Sequence, residues 1–328
     1  MTSEDYSFVR YLSAKKNVDS RALNRRVWQS LAEALPPVQP EAPLLVLEVG
    51  AGIGTMLERM LQRGLLGWAV YAAIDVRRDC IIEARSRLRR WAHERDWSVT
   101  ETARGELLLE REGQRVLARL EAIDLFDFIS REQGSSKWDL LIAHAFLDLM
   151  DLPTTLPRLF SLLRERALYY FTLNFDGLTI LEPVIDPHLD ELILTLYHQS
   201  MDERMVNGRI SGDSRTGRHL FRYLKKAGAQ ILDAGSSDWV VFPRDTGYSS
   251  DESYFLHFLI DTIRQALQGH PLLDPARFEA WLAARHTQVE QGELVCIVHQ
   301  LDFLGRAFRV NQPSVPTQSG QFRLTANR

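Results

Sequence analysis

Three acids and three glycines in the first part of the chain stand where a ligand crevice would need them. The stretch Leu44–Gly54, LLVLEVGAGIG, is an apolar run that ends in Glu48 and opens into a turn carrying Gly50, Gly52 and Gly54. A second apolar run, AVYAAID, ends in Asp75, and a third, LARLEAID, ends in Asp124. Strand, glycine turn, helix, strand, acid is the nucleotide half of a doubly wound α/β domain: the turn lets a ligand approach the backbone and the second acid grips a ribose. The spacing narrows the ligand. A dinucleotide fingerprint asks for G-x-G-x-x-G, and Thr55 stands at its last position. No Gly-Lys-Ser/Thr follows, so a phosphate loop is absent. A phosphate favours the bare N–H groups at a helix N-terminus, and Glu48 just before the turn would repel it. The pattern suits a ligand with positive charge and no phosphate. For an isolated G-x-G, a tight turn with nothing bound would be the better reading; the acids and their order weigh against that here.

S-adenosylmethionine, with its sulfonium, ammonium, ribose and adenine, is such a ligand. At this point the chain resembles the class I S-adenosylmethionine-dependent methyltransferases, whose first motif is an apolar strand, an acid and G-x-G-x-G. The resemblance continues through AAIDV, LARLEAIDLFDF, the block WDLLIAHAFLDLMDL (Trp138–Leu152), a helix and strand over Leu156–Thr172, and GRHLFRYLKKAGAQIL (Gly217–Leu232). It covers roughly Leu44 to Phe242; the first motif with Asp75 is its specific part. It implies a doubly wound, mostly parallel seven-stranded sheet with helices on both faces and an antiparallel last strand set between the fifth and sixth. It also implies roles. Backbone at Gly50, Ala51 and Gly52, with Gly54 completing the turn, would approach the methionine portion. Glu48 would orient the ammonium. Asp75 would accept from both ribose hydroxyls, and Val76 would pack on the adenine. Asp124 would accept from the adenine amino group, and Leu125 would offer backbone; a plain turn acid is the competing reading for Asp124.

Methyl transfer from a sulfonium is an in-line displacement of an already activated group. The protein supplies proximity and dryness, and a base only where the nucleophile starts protonated. His144 ends the fourth strand, where the family brings side chains to the methyl group, and Asp148 follows four residues on. A His144–Asp148 couple there would make a general base; a hydrogen-bonded histidine lining the cofactor pocket is the equal alternative. His198 and His219 are weaker candidates. Arg21 and Tyr11 would reach the methionine carboxylate if the N-terminal arm closed over the site, although solvated charge is the commoner state. Phe146, Phe175, Tyr197 and Trp239 suit a small, partly apolar acceptor. An Asn/Asp-Pro-Pro-aromatic motif, frequent in relatives that act on nucleic acid, is replaced here by AHAFLDL.

Composition agrees. The 328 residues are 45% hydrophobic and 25% charged with a net charge of −4, which excludes a global drive toward nucleic acid or anionic membrane. Two cysteines, Cys80 and Cys296, support neither a disulfide framework nor a zinc cluster, and no metal site is expected. No run has the length of a membrane span or signal core. A cytoplasmic enzyme with a small-molecule acceptor is the first reading. A non-catalytic binding or scaffold protein of the same fold is the alternative, and an exposed apolar stripe on the helix near 251–268 would favour it. A nicotinamide oxidoreductase is third, disfavoured by Glu48 and the glycine spacing. Oligomeric state is not legible.

The elements that must position these residues follow from periodicity. Residues 1–43 read as a helical arm, broken near Asn17–Asp19 with Asp19 or Ser20 capping its second piece, and a proline linker Pro36–Pro43. Residues 44–308 form the main domain. Val99–Leu120 reads as a hairpin insertion turning at Glu112-Gly113. After Phe171 the sheet pattern pauses, and 178–217 becomes a helical lid over the substrate, as the resemblance implies. Val240–Phe242 is expected as the sixth strand and Leu294–Phe303 as the seventh. Asp274-Pro275 marks a helix start. Residues 309–328 read as a disordered tail.

Overall fold

Fully apolar runs become central strands, and one-sided runs become the helices that cover them. The computed structural model describes residues 6–135, 137–206, 208–249 and 251–308; the expected disordered tail, 309–328, lies outside them. In chain order the elements are α1 (Phe8–Ala22), α2 (Arg25–Ala34), β1 (Leu44–Val49), α3 (Thr55–Gln62), β2 (Trp68–Asp75), α4 (Arg78–His93), β3 (Ser98–Glu101), β4 (Leu107–Arg111), β5 (Gln114–Ala122), α5 (Leu125–Arg131) and β6 (Trp138–His144). They continue with α6 (Leu152–Phe160), β7 (Leu163–Glu182), α7 (Pro187–Asp202), β8 (Met205–Val206), β9 (Arg209–Ile210), α8 (Thr216–Lys226), β10 (Ala229–Ser236), β11 (Trp239–Val241), α9 (Glu252–Leu267), α10 (Pro275–Glu290) and β12 (Val295–Ala307).

The sheet runs β3-β4-β5-β2-β1-β6-β7-β12-β10, with β11 also against β12. Strands β5, β2, β1, β6 and β7 are parallel, and β12 is antiparallel between β7 and β10. That is the order the resemblance implies, with β3, β4 and β11 added to its seven strands. β1, bonded on both sides, buries Val46, Leu47 and Val49 completely, as a parallel strand covered on both faces must. One face packs on α2, α3 and α4 through Leu31, Met56, Met60 and Leu88. The other packs on α5, α6 and α8 through Phe128, Leu156 and Leu220. A third apolar cluster joins α1, α7, α9 and α10 to the far ends of β7 and β12.

In the 99–120 segment β3 and β4 pair antiparallel and β4 pairs antiparallel with β5, the third parallel strand, with Gly113 left-handed (φ 72°) at the β4–β5 turn. Three expectations shift. The arm does not break near Asn17–Asp19: α1 runs on to Ala22, and Asn24 caps α2 by accepting from the N–H groups of Arg26 and Val27. Asp19 is unavailable as a cap because its carboxylate is buried against other partners. β7 does not pause after Phe171 but bends through register shifts and continues to Glu182, long enough to pair with β12 along most of its length. The sixth-strand place belongs to β10, while Trp239–Val241 forms a short separate pairing further along β12. Most of the α9 stripe is buried: Phe255, Ile263 and Leu267 are at most 1% exposed, and Leu259 is partly buried.

Candidate functional site

The chain order of the sheet reverses between β1 and β6, and ligands of doubly wound folds bind at the strand carboxyl ends beside such a reversal. On the β2 side of it, Gly50, Gly52 and Gly54 all adopt left-handed backbone (φ 64°, 52° and 76°), which L side chains resist. The turn is tied to β2: Ala51 N–H donates to the Ile74 carbonyl (3.0 Å), and Gly52 N–H donates to Asp75 Oδ2 (2.8 Å). Asp75 Oδ1 accepts from Arg77 N–H (2.8 Å). Each carboxylate oxygen thus holds one backbone donor and keeps accepting capacity for another. Val76 beside it is 69% exposed, an uncovered apolar face next to a free acceptor. Asp124 ends the neighbouring parallel strand and caps α5, its Oδ1 accepting from Phe126 N–H (2.7 Å) and Asp127 N–H (3.3 Å). Leu125, the first residue of that helix, is buried. The acid–turn–acid pattern of the sequence is therefore one contiguous edge.

Across the turn the arrangement departs from expectation. Glu48 is 1% exposed and accepts from the Tyr71 hydroxyl (2.8 Å). Burial pushes its carboxyl up to about 8, against the opposing pull of Tyr71 and the Arg59 guanidinium. At neutral pH it is mostly a protonated, internal group and not the exposed anion the sequence suggested. Arg59, one turn into α3, is the residue that sequence reasoning missed. Its guanidinium is buried and donates to Thr55 Oγ1, Ser20 Oγ and the Lys16 carbonyl (3.1–3.2 Å). Its only sequence signal was a lone cation on an otherwise apolar helical stripe. Helix α1 lies over this side: a side chain at Gly52 would meet Leu12 at 3.1 Å, and one at Gly50 would meet the Phe146 ring at 2.2 Å.

His144 and Asp148 are not joined by any hydrogen bond among the described residues. The chain leaves β6 through Ala145 in left-handed backbone (φ 50°) and enters a short 3-10 turn at Leu147, so the four-residue spacing is not a helical one. His144 meets Thr172 Oγ1 through Nδ1 (2.7 Å), and through Nε2 it meets Arg59 (3.2 Å) and Asp19 Oδ2 (3.3 Å). Burial, reinforced by Arg59, holds its imidazole down at about 4 although Asp19 pulls the other way. The ring is neutral at pH 7. Arg59 can only donate and Asp19 can only accept, so Nε2 serves one of them at a time, and in either tautomer both ring nitrogens have a partner within the protein. A ring spent this way is a poor general base. Asp19 also accepts from Lys15 (2.9 Å) and from Trp239 Nε1 (3.0 Å); against burial, Lys15, His144 and Arg59 hold its carboxylate far below its usual range.

Beyond Ala145 opens a cavity of about 290 Å³ between α1, the 3-10 turn, β7, α7 and β12. Tyr11, Phe175, Tyr197 and Trp239 supply its aromatic walls, and Asp148 lines it rather than facing His144. Leu173, on its wall, is a second non-glycine residue in left-handed backbone (φ 55°). Strain of this kind gathers at functional sites. The segment after α7 folds back on the 3-10 turn, with Ser211 Oγ donating to the Leu149 carbonyl (2.7 Å). Arg21 does not face the crevice; it pairs with Glu252. Tyr11 stacks on Phe258 at 4.0 Å, His198 meets Thr179 Oγ1 (3.1 Å), and His219 meets Asp213 (2.6 Å). No cluster of metal-ligating side chains occurs among the described residues, and no helix among them is long and apolar enough to cross a membrane.

No family model matches the chain, and no curated protein matches it. Solved structures overlap with it loosely. One is an S-adenosylmethionine-dependent methyltransferase from Thiobacillus denitrificans in complex with S-adenosylhomocysteine: 12% identity, 89% of this chain and 97% of that chain covered, TM-score 0.42. Another is an S-adenosylmethionine-dependent methyltransferase from Methanosarcina mazei: 12% identity, 84% and 99% covered, TM-score 0.40. Overlaps this loose carry no functional information of their own.

Proposed function

We propose that the protein is an S-adenosylmethionine-dependent methyltransferase acting on a small-molecule oxygen or nitrogen acceptor. One observation carries this reading: the tethered glycine turn with Asp75 and the aromatic cavity past Ala145 sit at one carboxyl edge, on the two sides of the β1–β6 reversal. The residues fit the nucleoside portion of the cofactor. Asp75 keeps acceptor capacity for ribose hydroxyls, Val76 offers an apolar platform, and Asp124 and Leu125 lie on the next strand's end. When bound, the cofactor supplies a methyl carbon already activated for displacement. The chain's own residues hold the nucleoside, close α1 over the turn and keep water out. The methionine portion is the tighter fit, because Leu12, Phe146 and Arg59 occupy that side with α1 seated. In our reading α1 swings aside for entry, and Glu48 and backbone at Gly50, Ala51, Gly52 and Gly54 then face the amino-acid end. His144 positions neighbouring groups. The mostly buried α9 stripe supports an enzyme over a docking module. We place it in the cytoplasm, consistent with two free, buried cysteines, with neither nucleic acid nor membrane as partner.

The crowding by Arg59 and Phe146 favours a second reading, a non-catalytic descendant that keeps the architecture without the cofactor. One titration separates the two. Calorimetry with S-adenosylmethionine, and separately with S-adenosylhomocysteine, should show micromolar binding that Asp75→Ala weakens at least tenfold, the loss of one or two hydrogen bonds. Absence of binding by folded protein would establish the second reading.

A further inference from the structure

The cavity past Ala145 carries a specific chemical demand. Two residues lining it, Asp148 and Gln300, carry acceptor atoms, Oδ1 and Oε1, that are sealed from solvent and have no hydrogen-bond partner. Gln300 sits on β12 and is 3% exposed; its backbone is held by Asp238 Oδ1 (3.2 Å) and by Ser237 N–H (2.8 Å), so its position is fixed while the tip of its side chain is unpaired. Buried acceptors left without donors cost roughly 1–3 kcal/mol each. A cavity that keeps two of them, inside walls of Tyr11, Phe175, Tyr197 and Trp239, is shaped for something that brings donors of its own.

Charge narrows the donor. Lys15 and Arg204 also line the cavity and both draw on the Asp148 carboxylate, with Asp213 opposing them. A cationic amine would face those two cations. A carboxylate would leave both acceptors unpaired and be repelled by Asp148. A neutral hydroxyl on an apolar ring fits best, its single O–H pairing the charged acceptor of the two. That O–H donates to the Asp148 carboxylate, its body fills the aromatic walls beside Gln300, and negative charge developing on its oxygen faces Lys15 and Arg204.

We infer that this cavity binds a neutral, phenol-like hydroxyl compound of one or two rings, oriented by Asp148, which is also the acceptor of its proton. In that step the O–H bond breaks, the proton passes to the Asp148 carboxylate, and the oxygen keeps the electron pair that makes it nucleophilic. Assigning this compound as the methyl acceptor rests on the function proposed above; its binding does not, and can be tested without cofactor.

The probes are 2-naphthol, 2-methoxynaphthalene, 2-naphthoate and 2-(aminomethyl)naphthalene, titrated against the full chain by quenching of tryptophan fluorescence and by calorimetry. The expected result is binding of 2-naphthol at least tenfold tighter than each of the other three. Asp148→Leu, checked for folding by circular dichroism, should shrink the preference over 2-methoxynaphthalene several-fold while leaving the affinity for 2-methoxynaphthalene nearly unchanged. Equal affinity for 2-naphthol and its methyl ether, or tightest binding of the amine or the acid, would overturn the inference, and that series needs no variant. Naphthol selectivity in a protein that fails to bind S-adenosylmethionine would leave the cavity assignment standing and remove only the methyl-transfer reading.

Discussion

On the β2–β5 side of the glycine turn, carboxylates face water and hold backbone N–H groups. On the β6–β7 side, charged groups are buried and hold one another. Asp75 and Asp124 are held by backbone N–H groups of turns at the same edge: Gly52 in the turn after β1, Arg77 two residues past Asp75, and the first turn of α5. Lys15, Asp19, Arg59, His144 and Trp239 come from four separate elements, α1, α3, β6 and β11, and form one buried network. The first side is a preformed edge. The second exists only while α1 is seated, so the two differ in what would disturb them: the edge should tolerate loss of the arm, and the buried network should not.

The largest expected effect tests that difference. Asp19→Ala leaves Lys15 and Arg59 buried beside an empty place and frees the Trp239 N–H. Removing one member of a buried ion cluster typically costs about 3–5 kcal/mol. Hydrogen exchange should rise along α1 and stay unchanged at the β1–β2 edge. If α1 obstructs the methionine side, stopped-flow mixing should also show S-adenosylmethionine associating faster with this variant. Exchange that rises equally at both places would erase the distinction between the two sides.

That division also decided what the sequence could disclose. β1, the glycine turn, β2 and Asp75 were legible because each is a local pattern: an apolar run, residues that permit left-handed backbone, an acid at a strand end. The capping role of Asp124 was within reach for the same reason. Arg59 and Asp19 were not. A cation on an amphipathic helix reads as solvated surface and Asp19 reads as a helix cap, and only the packing of α1 against α3 and β6 buries them. The continuation of β7 was hidden by Asn174 and Asp176, polar residues that normally end a buried strand. Here both are buried and paired elsewhere, Asn174 with the Leu301 carbonyl and Asp176 with Arg218. β10 was missed because its half-exposed alternation in AQILDAGS lacks the continuous apolar signal of its neighbours. Gln300 carries no local signal; a lone glutamine in a strand gains meaning only from the cavity it lines.

A smaller effect concerns Glu48, which belongs to the buried side although its strand leads into the open one. Its carboxyl sits near 8 in the folded chain and near 4.5 when unfolded, so the native state holds a proton that the unfolded state releases. Stability from this group is therefore present below pH 4.5 and is lost as pH rises toward 8. His144 runs the other way, its stability lost as pH falls from 6.5 toward 4, and Asp148 and Asp302 are raised only to about 6. Between pH 6.5 and 8 Glu48 is thus the dominant one of these four. Denaturant midpoints should fall across that window in the parent and stay flatter in Glu48→Gln, which keeps an acceptor for Tyr71 without the charge. Matching slopes would show that Glu48 is ionised and water-accessible after all, as an ammonium-binding acid would be.

The smallest effect lies on the open edge and separates two uses of one carboxylate. Asp124 caps α5 through Oδ1, and loss of such a cap costs about 1 kcal/mol. A cap alone needs only an oxygen at that place, so Asp124→Ser should keep thermal stability where Asp124→Ala lowers it. Binding of an adenine amino group asks for more, a second acceptor aimed away from the helix. If the edge is a nucleoside site, Asp124→Ser should fold like the parent and still lose a few-fold in affinity for S-adenosylmethionine and S-adenosylhomocysteine alike. Calorimetry alongside melting curves reads both. Full affinity in the serine variant would reduce Asp124 to a helix cap and leave Asp75 as the edge's sole ligand-holding acid. The contrast between the sides would then rest on one carboxylate in water against a network out of it.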